Sequence, residues 1–126
     1  MVTVDISQLS GECSTWRESL RSSRDELNNL KKQLQQAAGQ NLTKDQLHDV
    51  EHYHNQFHIQ LINVHDLKQS IKAHDRRVQF ETSANSGQLN EETIAEHERL
   101  FEEFQSLDST IKNLREEFGD FVHRTA

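Results

Sequence analysis

The sequence predicts an all-α protein: an antiparallel up-down-up three-helix bundle with long, coiled-coil-like helices. Three observations carry this expectation. The 126 residues include no proline and only four glycines, so little interrupts a helix. Apolar residues recur at heptad spacing in three long stretches. Short segments with helix stop and start chemistry separate those stretches. Val and Ile are sparse, and no run alternates with period two, which argues against a sheet. The length fits one domain, taken as residues 1–126.

The first helix is expected over about residues 5–38, starting near Asp5 or Ser7. Its seam reads Ile6, Leu9, Cys13, Trp16, Leu20, Ser23, Leu27, Leu30, Leu34, Ala37. Every position but Ser23 is apolar, as in a helix packed along its whole length. Ser23 either bonds the carbonyl four residues back or makes room for a bulky neighbour. Gly39 is expected to close the helix in a left-handed conformation.

Thr43 and Gln46 then form a capping box, with Leu42 and Leu47 as its hydrophobic staple. They open a second helix over about residues 43–82, the longest and the richest in histidine. Two overlapping seams, Leu47/Phe57/Leu61/Val64 and Tyr53/Phe57/Leu67/Ile71, give it one broad apolar face. At 100° per residue, Ile59 and Ile62 fall on the opposite side, among His48, His52, Asn55, Asp66 and Ala73. An outer helix of a monomeric bundle has no use for isoleucines there.

Ser86-Gly87 marks the next turn. Asn90 is the expected N-cap of a third helix over about residues 90–124, with Leu89 stapled to Ile94. Its seam is His97, Leu100, Phe104, Leu107, Ile111, Leu114, Phe118 and Phe121, flanked by Phe101 and Val122. Placing the helices side by side puts Trp16 level with Val64, His65 and Leu107. The same register puts His74 level with His97.

The net charge is −7. Residues 90–124 hold ten acidic and four basic side chains, so the third helix carries most of it. An acidic chain repels phosphate backbones, so neither nucleic acid nor an anionic membrane is an expected partner. Lys68, Lys72, Arg76 and Arg77 read as cations opposing a helix C-terminal dipole. No stretch reaches the ~18 apolar residues of a membrane span. The N-terminus lacks signal-peptide character, and a cytoplasmic setting is expected. Cys13 is the single cysteine, which excludes an internal disulfide and a site built on cysteines.

A tryptophan in the first helix (Trp16), spaced His and Leu in the second, and heptads throughout resemble the spectrin repeat. The resemblance covers almost the whole chain in helix number and length. It implies a structural or interaction role.

Eight histidines are the compositional oddity. His48/His52 and His54/His58 have the i,i+4 spacing that sets two imidazoles on one face, and they are the candidate metal ligands. As boundary residues they would instead cover the core edge. Glu51 and His54 form a Glu-x-x-His pair, but a di-iron bundle needs a second such pair and further inward glutamates. No glycine-rich elbow or phosphate loop supports nucleophilic or nucleotide chemistry. The pair His74/His97 is the candidate for a pH response. The expectation is therefore a non-enzymatic, cofactor-free interaction or scaffold module. It self-associates as a homodimer through Ile59, Ile62, Asn55 and Asp66. The alternatives are a metal-binding bundle using the second helix's histidines, and an adaptor whose acidic third helix meets a basic protein.

Overall fold

The computed structural model describes residues 6–85 and 87–125. Three helices account for nearly all of them: α1 Ile6–Ala38, α2 Lys44–Ala84 and α3 Glu91–Thr125. They pack as an up-down bundle with α2 against both neighbours. The expected start at Asp5 and half of the Ser86-Gly87 turn lie outside the described residues.

Each helix follows from its residues. The α1 seam is buried at Leu9, Cys13, Trp16, Leu20, Leu27, Leu30, Leu34 and Ala37, while Ile6 and Ser23 are half-buried. Gly39 is not left-handed. Helix α1 instead tightens at its end, where the Gly39 and Gln40 amides donate to the carbonyls of Gln36 and Ala37. The left-handed glycine is Gly87, at φ 86° in the second turn.

Helix α2 opens on the expected capping box. The Gln46 amide donates to Thr43 Oγ1 at 3.2 Å, and the Thr43 amide donates to Gln46 Oε1 at 2.9 Å. Of the two expected staple residues, Leu42 is half-buried and Leu47 is 48% exposed. The broad apolar face is present, with Val50 and Leu61 packed against the core that Tyr53, Phe57, Val64, Leu67 and Ile71 enter. Most of its buried residues, Tyr53, Phe57, Gln60, Val64, Leu67, Ile71, His74, Val78 and Glu81, step by four and three along one heptad seam, and Asp75 is buried beside it. Polar Gln60, His74 and Glu81 occupy seam positions, which is why apolar residues alone do not reveal it.

Glu81 explains how α2 turns into α3. Its carboxylate accepts from the Asn90 amide at 2.9 Å, the Thr93 hydroxyl at 2.6 Å and Arg77 Nε at 2.8 Å. One side chain thus takes up an orphan donor at the start of α3. Beside it, Leu89 is buried with Leu9 and Val78, and Ile6 and Ile94 pack against them.

The register is offset from the side-by-side expectation. Trp16 meets His97 at 4.7 Å, Phe101 at 5.8 Å and Phe104 at 6.1 Å between ring centroids, below the level of Leu107. Ser10 and Arg17 reach Asp75, which sets α1 against a part of α2 beyond Val64.

Candidate functional site

The heptads bring one ligand-type side chain from each helix to a single level. Cys13 comes from α1, His74 from α2 and His97 from α3, and all three are buried. Each offers a donor atom, and those atoms lie within 4.8 Å of one another. His74 Nε2 and His97 Nδ1 are 3.0 Å apart. The other nitrogen of His97 lies 3.1 Å from Glu12 Oε2.

With both rings neutral, these contacts set where the protons lie. A carboxylate only accepts, so His97 Nε2 carries hydrogen and donates to Glu12. In a neutral ring, His97 Nδ1 is then the acceptor, and His74 Nε2–H donates to it. His74 Nδ1 is left buried with no partner. Trp16 covers the His97 ring from the side. Asp75, also buried, accepts from Ser10 Oγ at 3.2 Å and pairs with Arg17 at 3.6 Å.

The electrostatics disfavour charge on Cys13 and on His74. Burial, reinforced by the nearby Asp75 carboxylate, pushes the Cys13 thiol up to about 11, against the opposing pull of Arg17. Burial, then the neighbouring His97, holds His74 below its ordinary value, while Glu96 and Asp75 pull the other way. A buried thiol and a proton-sharing imidazole pair form a set of soft, neutral donors.

The other predicted residues lie elsewhere. His48, His52, His54 and His58 are exposed, and none belongs to the buried donor cluster. Glu51 and His54 line an open groove with Leu34 and Val50. Lys68 and Lys72 lie well inside α2, which has no basic residue in its last turn, so they do not oppose its dipole. They face Arg17 and Arg21 across the α1–α2 groove. The back face of α2 is open, with Ile59 at 45% and Ile62 at 47% exposure and Asn55 and Asp66 exposed beside them. Phe80, 71% exposed, extends that face by three heptads from Ile59. No helix among the described residues is long and apolar enough to cross a membrane.

Sequence reasoning paired His74 with His97 but left out Cys13 and Glu12. Cys13 reads as a small core residue, and one cysteine rules out only sites made of cysteine. The missed signal was a donor type at a seam position in each helix, at matching heights. Comparison with protein-family models, curated proteins and solved structures finds no match to this chain.

Proposed function

We propose that the protein is a non-enzymatic interaction or scaffold module that pairs with a second copy of itself through the outer face of α2. One observation carries the reading: Ile59 and Ile62 stand exposed one turn apart in mid-helix, on the side facing neither α1 nor α3. Apolar contact between copies removes that surface from water.

The sequence around the two isoleucines suits a two-fold, antiparallel helix pair. Set Ile59 of one copy opposite Ile62 of the other. The same register sets Asn55 opposite Asp66, an amide donor facing a carboxylate. Further out it sets His52 opposite Gln69, His48 opposite Ala73 and Asp45 opposite Arg76, with opposite charges closing both ends. All these residues follow the three-and-four spacing of one outer stripe. A reducing, cytoplasmic setting suits a fold that leaves its one cysteine as a thiol.

Sedimentation of the wild type and Ile59→Glu tests the reading. The wild type is expected to be a dimer at tens of micromolar, roughly the range of modest interfaces. Ile59→Glu is expected to be a folded monomer, because each glutamate would then be desolvated against the Ile62 of the other copy. A wild-type monomer, or a mutant that dimerises equally well, overturns it.

A further inference from the structure

We propose that Cys13, His74 and His97 form a binding site for one zinc ion, with one ligand from each helix. Thiolate and imidazole are the ligands zinc takes in proteins, and a tetrahedral ion at ~2.3 Å from sulfur and ~2.0 Å from nitrogen holds its donors roughly 3.3–3.6 Å apart. The three donors already lie within 4.8 Å of one another, and the two nitrogens at 3.0 Å. Closing the set takes side-chain adjustments of about 1 Å on this geometry.

Three further features point the same way. The nitrogens of His74 and His97 share one proton at 3.0 Å, a position a cation can take over. Glu12 holds the far nitrogen of His97 at 3.1 Å, the carboxylate–histidine arrangement that orients metal-binding imidazoles. His74 Nδ1 is buried without a partner. On binding, one Zn–S and two Zn–N bonds form. The thiol proton leaves to solvent, and the proton between the rings passes to His74 Nδ1, so both imidazoles stay neutral. Thiolate and Glu12 together balance the ion's charge, and water fills the fourth position. The ion would then staple all three helices at one level. This site lies on the inner seam and Ile59 on the outer face, so the two proposals stand or fall separately.

Cobalt(II) titration of the reduced, untagged full chain tests the site. The expected spectrum shows thiolate-to-cobalt charge transfer and the strong visible bands of a tetrahedral ion, saturating at one equivalent and bleached by zinc. Cys13→Ser should abolish the charge transfer, and Glu12→Gln should weaken binding by roughly 10–100-fold. Replacing His48, His52, His54 and His58 together by alanine should change neither. Circular dichroism identifies any variant that fails to fold, and the wild-type spectrum decides independently of the variants. A folded wild type without thiolate charge transfer overturns the proposal. So does binding that survives Cys13→Ser, or binding lost with the four surface histidines.

Discussion

The two halves of this bundle share one heptad seam and fill it with different chemistry. Toward the α1–α2 turn, Tyr53, Phe57, Phe118 and Phe121 stack edge and face. Phe57 meets Phe118 at 5.1 Å and 83°, and Tyr53 meets Phe121 at 5.2 Å. Leu27, Leu30 and Leu34 of α1 belong to the same core. The one polar atom of this ring cluster is satisfied, because Tyr53 Oη donates to the Glu117 carbonyl at 3.2 Å. Toward the α2–α3 turn the seam buries His74, Asp75, Glu81, Thr93 and His97. The aromatic half gains stability in proportion to apolar area, which is non-directional. The polar half gains less per residue, because desolvation offsets most of each hydrogen bond. It is far less tolerant of slippage. A one-turn slip in the aromatic half exchanges one apolar contact for another. In the polar half it strands buried charges without partners.

The largest effect should therefore come from the aromatic half. Phe57→Ala removes a fully buried ring and is expected to cost about 3–5 kcal/mol, read from denaturant midpoints at unchanged m-value. A smaller loss would mean that the neighbouring rings collapse into the space. Glu81→Ala strands the Thr93 hydroxyl and the Asn90 amide, and should cost about 2–3 kcal/mol. Its effect should also be local, with faster amide exchange at the α2–α3 turn than in the aromatic half. Uniform exchange would erase the distinction between the halves.

The smallest effect is the dependence on pH in metal-free protein. Burial opposes ionisation of Glu81, but hydrogen bonds from Thr93, Asn90 and Arg77 outweigh it and hold the carboxyl below its ordinary value of 4.5. Its contribution is complete above that value and is lost as pH falls through the lower folded-state value. His74 behaves in the same direction at higher pH. Its folded-state value lies below 6.5, so on acidification the unfolded chain takes up a proton first, and stability drops as pH falls below 6.5. His97, Cys13, Glu96, Asp75 and Arg77 surround or influence that ring, so the measurement needs a variant. Denaturant midpoints at pH 7.5 and 5.5 should differ in the wild type and differ less in His74→Asn. Equal pH slopes would remove His74 as the source.

The sequence legibly specified the helices and most of the core. Proline-free heptads fixed three long helices, and the capping residues Thr43 and Gln46 fixed where α2 begins, because such local chemistry needs no partner. The same reasoning placed Ile59 and Ile62 outside, since a side chain's angle around a helix depends only on its position along it. It also paired His74 with His97. Polar seam residues were the hard part. Gln60 and Glu81 look like surface residues until the stripe through Tyr53, Phe57, Val64 and Val78 carries them inward.

What the sequence by itself determined was angular: which residues share a face. What only the tertiary structure decided was axial: which levels of α1, α2 and α3 meet. Heptads repeat every two turns, so they allow several registers of nearly equal apolar burial. Long-range partners chose among them, Asp75 with Arg17 and Ser10, and His97 with Glu12. That choice brought Cys13 to the two histidines, a meeting no spacing within one helix could encode.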